Sequence, residues 1–170
     1  VCAVRYRLAP EHPFPAQRED AFAVYRGLLA GGASKIAVSG ESAGGNLSLA
    51  LIGAAAADGL PMPVAAALMS PWCDLTHSGD SAMTLEGVDP TISKALSGDT
   101  MARTFAAGRP LASPDISPLN AAVAKGFPPT LITSGTRDLL LSDCVRLSTK
   151  LRAAGVAAEL RVWEGMWHVF

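Results

Sequence analysis

The sequence is poor in cysteine and histidine, and this shortage excludes several kinds of site. Among 170 residues there are only 3 Cys and 3 His. Cys2, Cys73 and Cys144 are odd in number, widely spaced and lack a C-x-x-C pair. They therefore predict neither a disulfide framework nor a zinc site. Free thiols are typical of a reducing compartment, and we expect a cytoplasmic protein.

The chain also lacks a dominant charge and any long apolar run. Its 14 Lys and Arg nearly balance 15 Asp and Glu, and no basic stripe alternates with aromatic residues. Nucleic acid is therefore not an expected partner. No apolar run reaches the roughly 18 residues that a membrane-crossing helix needs. Without an H-E-x-x-H or Walker A motif, neither a metal nor a nucleotide is expected.

Both ends of the sequence resemble the inside of a structured segment. Val1-Cys2-Ala3-Val4 starts like a buried strand, and Trp167-His168-Val169-Phe170 stops without a polar tail. Natural chain termini are usually polar and poorly ordered. We therefore expect the chain to be a fragment of a longer protein, so that no targeting segment can be judged.

Strand-like and helix-like segments alternate along the sequence. Strands are predicted over 1–6, 35–39, 64–70, 130–134 and 159–163. This alternation predicts an α/β fold in which a mostly parallel sheet carries helices on both faces.

Three helices separate these strands. The first is predicted to open at Pro15 and to stop at Gly31-Gly32, and the second covers 46–57. The third is predicted to start with Ser142 as its N-cap and to end before Gly155 at C′.

One long segment breaks the alternation. Residues 74–119 contain no strand-like run, only polar sequence punctuated by Ser and Gly, and 91–105 is their best helix candidate. So many residues between two core strands predict an inserted subdomain rather than a loop.

The strongest motif is Gly40-Glu41-Ser42-Ala43-Gly44, a G-x-S-x-G turn between a predicted strand and helix. Such a turn presents a nucleophilic serine, and it predicts a strained Ser42 at positive φ with glycines flanking it to avoid clashes. The Ala43 N–H and the helix N-terminus would hold a developing oxyanion. Glu41 either braces the turn or orients a catalytic partner, or it is a solvated acid.

A nucleophilic serine needs a base, and only three histidines are available. His12 lies in a proline-rich loop and His77 in the presumed insertion, whereas His168 follows the last predicted strand. Functional loops of α/β sheets leave the carboxyl ends of the strands, which favours His168.

The acid that orients the base is predicted between the serine and the histidine in chain order. Asp138 follows the end of a predicted strand, whereas Asp143 lies at a helix start, where N-terminal capping alone explains an acid. We therefore assign Asp138. Trp72 is a candidate for substrate binding in the pocket, together with Phe105, Met83 and Met101, although such side chains are often plain core.

Three sequence blocks resemble the hormone-sensitive-lipase-like esterases, the bacterial family IV lipolytic enzymes of the α/β-hydrolase fold. They are Tyr6-Arg7-Leu8-Ala9-Pro10-Glu11-His12-Pro13-Phe14-Pro15-Ala16, Gly40-Glu41-Ser42-Ala43-Gly44-Gly45-Asn46 and Gly165-Met166-Trp167-His168-Val169-Phe170. By position, the resemblance makes Ser42 the nucleophile, Asp138 the acid, His168 the base and Ala43 an oxyanion donor. It also implies one partial catalytic domain over 1–170, with part of a helical cap at 74–119. The family's His-Gly-Gly-Gly oxyanion loop precedes the first block and is not in this sequence.

The resemblance implies a carboxylesterase or lipase that cleaves esters of short to medium acyl chains without a cofactor. Hydrolysis of lactones, acetyl esters or amides by the same mechanism is the alternative, since a fold does not determine the substrate. A non-catalytic ligand-binding relative is a further alternative. The expected partner is a small ester substrate; a homodimer stays open beside a monomer.

Overall fold

The computed structural model describes residues 1–97 and 100–170. Within these residues, strands and helices alternate as the sequence predicts. The strands are β1 Ala37–Glu41, β2 Ala65–Met69, β3 Thr130–Gly135 and β4 Ala158–Trp163. The helices are α1 Ala16–Ala30, α2 Ala43–Ala57, α3 Ser81–Thr84, a π-helix Ala95–Ala102, α4 Arg103–Ala106, a 3₁₀-helix Pro118–Asn120 and α5 Leu141–Ala153.

The four described strands form one sheet in the order β1-β2-β3-β4, and every neighbouring pair is parallel. The predicted α/β class with a parallel sheet is therefore confirmed. Parallel pairing puts the carboxyl ends of all four strands at one edge of the sheet. Side chains that follow different strands can meet there.

The helices that pack on the sheet cover one of its faces. Leu68 of β2 and Ile132 of β3 share a buried cluster with Leu49 of α2 and Leu147 of α5. Of the β2 and β3 residues that alternate with these, Ala67 and Leu131 are only partly buried and Met69 is exposed. In residues 1–97 and 100–170, helices thus pack on one face of the sheet, whereas the sequence predicts helices on both faces.

The predicted strand over residues 1–6 is wrong. The structure assigns no strand there. The segment and the start of β1 line one cavity of about 650 Å³, with Val4 and Tyr6 from the segment and Ile36 and Val38 from the region of β1. Among the described residues, no backbone hydrogen bond joins the segment to β1, and a strand of the sheet requires such bonds.

The other element boundaries lie close to the predicted ones. α1 begins directly after Pro15 and its C-cap is Gly31, and Gly155 follows α5 with φ +80° as a C′ glycine. Ser142 is not the N-cap of α5, which begins one residue earlier at Leu141. Its hydroxyl instead accepts a hydrogen bond from the N–H of Ser81 at 2.9 Å.

The segment 74–119 contains no strand in its described residues, and its helices are short. The helix predicted over 91–105 forms from Ala95 onward, first as the π-helix and then as α4. Thr91 instead lies in a turn, where its N–H donates to the Asp89 carboxylate at 2.9 Å. That this segment acts as a cap stays a prediction.

The described helices are too short for a bilayer. The longest, α1 and α2, have 15 residues each, and none combines the length and apolar character that a membrane crossing requires.

Candidate active site

Four polar side chains follow the carboxyl ends of the four strands. Ser42 follows β1, Ser70 follows β2, Asp138 lies after β3 and His168 after β4. The parallel sheet therefore collects at one edge residues that are as much as 126 positions apart in the sequence.

The backbone of Ser42 is held in a strained conformation, with φ 50° and ψ −115°. Its N–H donates to the carbonyl of Met69 at 2.9 Å, and its own carbonyl accepts from the N–H of Trp72 at 3.0 Å. A non-glycine residue persists at positive φ only where its surroundings enforce it. Here strand β2 and the residues after it enforce the conformation through these two hydrogen bonds. The predicted positive φ of Ser42 is confirmed.

Close contacts require a glycine at two positions of the turn, Gly40 and Gly45, whereas the motif suggests Gly40 and Gly44. A Cβ on Gly40 would lie 2.1 Å from the carbonyl oxygen of Gly44, and one on Gly45 would lie 2.7 Å from the Pro71 side chain. A Cβ on Gly44 would meet nothing within 4 Å. The prediction that the flanking glycines avoid clashes therefore holds for Gly40 but not for Gly44.

His168 lies between Ser42 and Asp138. Its Nε2 is 2.9 Å from the Ser42 Oγ, and its Nδ1 is 3.1 Å from the Asp138 Oδ1. His168 is 6% exposed and Asp138 is 0% exposed. Because a carboxylate only accepts, the imidazole Nδ1–H donates to Asp138 and Nε2 accepts from the serine hydroxyl. The structure thus brings together all three residues that the sequence singled out.

The Asp138 carboxylate is held in its ionised form. Burial acts to raise its pKa, but hydrogen bonds from His168, Ser70, Ser134 and the Leu140 N–H outweigh burial, so that the pKa of Asp138 lies below its ordinary value. The Ser134 hydroxyl donates to Oδ2 at 2.7 Å and the Leu140 N–H to Oδ1 at 2.9 Å. An ionised carboxylate here can stabilise an adjacent imidazolium.

Asp143, the competing acid, has a different role from the one that the sequence suggested. It is 3% exposed, and its Oδ2 accepts from the backbone N–H groups of Cys73 at 3.2 Å and Asp74 at 2.8 Å. Asp143 therefore binds the loop after β2, and capping of its own helix does not explain why an acid stands at this position. Burial, followed by the charge of Asp74, raises the pKa of Asp143 to about 7 despite these two bonds.

The other two histidines lie in other segments of the fold. His12 is exposed in the loop before α1. His77 is buried in the segment 74–119, where its Nε2 lies 3.1 Å from the Ser97 Oγ.

Glu41, Ala43 and Trp72 border the serine in different ways. Glu41 is exposed at the end of β1. Ala43 is the first residue of α2, so its N–H has no acceptor in a preceding helical turn. Trp72 is 7% exposed and packs in a buried cluster with Phe14 and Leu75.

A largely apolar cavity of about 660 Å³ opens beside Ala43. Trp72, Met101 and Phe105 line it, together with Leu47 of α2. Met83, which the sequence placed in the same group, does not line it and is 66% exposed. A volume of this size accommodates a small organic molecule.

Sequence reasoning missed Ser70, Ser134 and Asp89, all of which contact the candidate site. Ser134 occupies the end of a predicted strand, which could have marked it as a neighbour of Asp138. Ser70 has φ 45°, and its Oγ accepts from the N–H of Val169 at 3.2 Å. No local pattern in the sequence predicts that bond, or the contact that Asp89 makes with His168.

The part of the chain that the structure describes contains no group of side chains that could bind a metal ion. None of its clusters joins three or more His, Cys, Asp or Glu side chains in a way that could hold an ion. What the arrangement offers instead is a hydroxyl bonded to an imidazole that is bonded to a buried carboxylate. Such a chain can remove the hydroxyl proton as the oxygen attacks an electrophile.

Comparison with known proteins places the whole chain in one family. The model of the α/β-hydrolase fold matches residues 1–170. An acetyl-hydrolase of Streptomyces hygroscopicus is 37% identical over 176 residues, covering 100% of this chain and 57% of the relative. An esterase of Acinetobacter venetianus is 34% identical over 181 residues, covering 100% of this chain and 56% of the relative. The chain thus spans about half the length of these relatives.

Solved structures agree with this placement. An esterase from the bacterial hormone-sensitive lipase family superposes with a TM-score of 0.93 at 43% identity, covering 97% of this chain and 56% of that one. The esterase E25 superposes with a TM-score of 0.92 at 42% identity, covering 96% and 50%. The chain therefore belongs to the α/β-hydrolase-fold family, as a relative of the bacterial hormone-sensitive-lipase esterases.

Proposed function

We propose that the protein hydrolyses carboxylic esters through an acyl-enzyme formed on Ser42. The observation that carries this proposal is the chain of hydrogen bonds from the Ser42 Oγ to His168 at 2.9 Å and from His168 to Asp138 at 3.1 Å. The esterases and the acetyl-hydrolase among its relatives support the same reaction.

The reaction would proceed in two similar halves. The Ser42 Oγ attacks the ester carbonyl while His168 Nε2 takes its proton, and Asp138 stabilises the imidazolium. His168 then protonates the leaving alcohol, which departs and leaves the acyl group on Ser42. Water, deprotonated by His168, attacks this acyl-enzyme and releases the carboxylic acid.

The oxyanion of each tetrahedral intermediate needs donors. We propose the Ala43 N–H as one of them, because it opens α2 directly after the nucleophile and the helix dipole adds positive potential there. Glu41, exposed beside this turn, is proposed to contact the substrate or a catalytic partner.

The substrate is proposed to be an ester of a short to medium acyl chain. The apolar cavity of about 660 Å³ beside Ala43 supports this class, with Trp72 in its wall. The acetyl-hydrolase relative favours acetyl esters as the alternative. Activity against p-nitrophenyl esters from acetate to decanoate, with lactones and anilides alongside, would separate these substrate classes.

The nucleophile is tested in the complete protein that contains this sequence. We expect Ser42→Ala to lower kcat for p-nitrophenyl ester hydrolysis at least about 10³-fold and to abolish labelling by a fluorophosphonate probe. Ser34→Ala, at an exposed loop serine, is the matched control and should retain both. Undiminished turnover by Ser42→Ala would refute the mechanism, and a wild-type protein that binds esters without turnover would favour the ligand-binding alternative.

We further propose a cytoplasmic location and assembly as a homodimer. The free cysteines, of which Cys73 and Cys144 are buried, support a reducing compartment. The dimer is supported by the edge strand β4, where Val162 and Trp163 are 42% and 40% exposed. Sedimentation of the complete protein, with Val162→Lys as the variant that should dissociate it, tests the dimer.

A further inference from the structure

Asp89 belongs to the segment between β2 and β3, far in sequence from the serine, the acid and the base. It is 6% exposed. Its Oδ1 accepts from the N–H of Thr91 at 2.9 Å and from the Thr91 hydroxyl at 2.8 Å. These local bonds hold the carboxylate in one orientation and leave Oδ2 to point elsewhere.

The Oδ2 atom of Asp89 joins the two loops that carry the acid and the base. It accepts from the N–H of Leu139 at 3.0 Å and from the N–H of His168 at 3.3 Å. Leu139 is the residue directly after Asp138. One oxygen atom therefore binds the backbone of the base itself and the backbone adjoining the acid.

Other bonds between these two loops lie farther from the reacting atoms. The N–H of Arg137 donates to the carbonyl of Met166 at 2.9 Å, and the N–H of Gly165 donates to the Thr136 hydroxyl at 2.8 Å. These bonds hold the loops together but do not touch the backbone of His168. Asp89 is bonded to that backbone directly.

The Asp89 carboxylate is held by N–H and O–H donors. In residues 1–97 and 100–170, no Lys or Arg lies within ion-pairing distance of it. Both carboxylate oxygens of Asp89 accept hydrogen bonds, so an amide side chain, which has a single oxygen, cannot replace all of them.

We propose that Asp89 is a positioning residue for ester hydrolysis, which sets the distance between His168 and Asp138 from the segment 74–119. This inference rests on the proposed function. Because errors of about 1 Å in a reacting geometry can cost about 100-fold in rate, loosening this link should lower kcat while leaving the substrate pocket intact.

The test compares Asp89→Asn and Asp89→Ala with wild type in the complete protein, with p-nitrophenyl butyrate as substrate. Reactive sites are first counted by titration with a fluorophosphonate, so that kcat refers to correctly folded sites only. We expect kcat per titrated site to fall about 10- to 100-fold in both variants, with KM changed less than about threefold. Asp80→Asn, at an exposed aspartate of the same segment, should match wild type.

The outcomes separate a positioning role from a purely structural one. If the Asp89 variants show fewer titratable sites but wild-type kcat per site, Asp89 only stabilises the fold and the proposal is overturned. A rise in KM at unchanged kcat would also overturn it. Failure of the proposed function is distinguishable, since the wild-type protein would then lack esterase activity.

Discussion

At the residue scale, two buried aspartates five positions apart have opposite electrostatic character. Asp138 receives bonds from His168 and from serine hydroxyls, and its pKa is lowered. Asp143 receives two backbone N–H groups beside the carboxylate of Asp74, and its pKa is raised to about 7. The first can stabilise an imidazolium, whereas the second organises a loop.

We expect Asp138→Asn to lower kcat about 10⁴-fold, because an amide cannot hold the required histidine tautomer or stabilise the imidazolium. Asp143→Asn keeps an oxygen that can accept from Cys73 and Asp74, so its kcat should stay within about tenfold of wild type. Steady-state kinetics on folded, site-titrated protein measure both. The opposite ranking would make Asp143 the acid.

Asp143 should also make stability depend on pH. Its folded pKa of about 7 lies above the ordinary 3.8, so its contribution is complete below pH 3.8 and is lost as pH rises to about 7. Asp143→Asn should therefore show a smaller fall in Tm between pH 5 and pH 8, by on the order of 5 °C. Scanning calorimetry at both pH values measures this, and an Asp80→Asn control should follow wild type.

At the element scale, helix α5 holds the loop after β2 through a second contact. The Arg146 Nη1 donates to the Asp74 Oδ2 at 2.8 Å, and Asp74 is 1% exposed. Burial acts to raise the pKa of Asp74, but bonds from Ser78, Thr76 and Arg146 outweigh it and lower that pKa to about 2. α5 thereby positions the segment that begins at residue 74.

Arg146→Met should destabilise the protein by about 1–3 kcal/mol, because a buried carboxylate loses a charged donor. The stabilisation from Asp74 is present above pH 3.8 and is lost as pH falls towards 2. The variant should therefore unfold in acid at a higher pH than wild type, as followed by circular dichroism. Arg152→Met, at an exposed arginine of the same helix, should leave the acid midpoint unchanged.

At the scale of the whole molecule, the helices of the described residues pack on one face of the sheet. Ala37 and Ser39 of β1 are exposed, and the outer edge of β1 faces the cavity of about 650 Å³ rather than another strand. Unpaired strand edges and bare apolar faces promote self-association.

An isolated polypeptide of residues 1–170 should accordingly aggregate and fail to react with a fluorophosphonate probe, because its edge strand is open and its chain lacks the implied oxyanion loop. Light scattering after size-exclusion chromatography and gel-based labelling test this against the complete protein. A monodisperse, reactive polypeptide would contradict the prediction.

The parallel sheet and the candidate residues could be predicted from local patterns. Strands 64–70 and 130–134 are apolar runs bounded by turn residues, and a serine in a glycine turn between a strand and a helix is typical of a nucleophile. The strand predicted at 1–6 was wrong because its apolar pattern contains no information about whether a partner strand lies beside it. The interpretation of Asp143 was wrong because a helix start accounts for an acid without reference to the loop that it binds.

What the sequence by itself determined are features contained in local patterns and in their order along the chain: the turn at Ser42, the order of Ser42, Asp138 and His168, and the alternation of strands and helices that makes the sheet parallel. Only the tertiary structure decided which glycines the turn requires, that Asp143 holds the loop after β2, and that Asp89 touches the backbone of His168. Apart from Gly40, which a Cβ would bring against Gly44 four residues on, these depend on contacts between segments tens of residues apart, 79 in the last case. The conformational preferences of neighbouring residues do not describe such contacts, because the packing of the folded chain determines which distant groups meet.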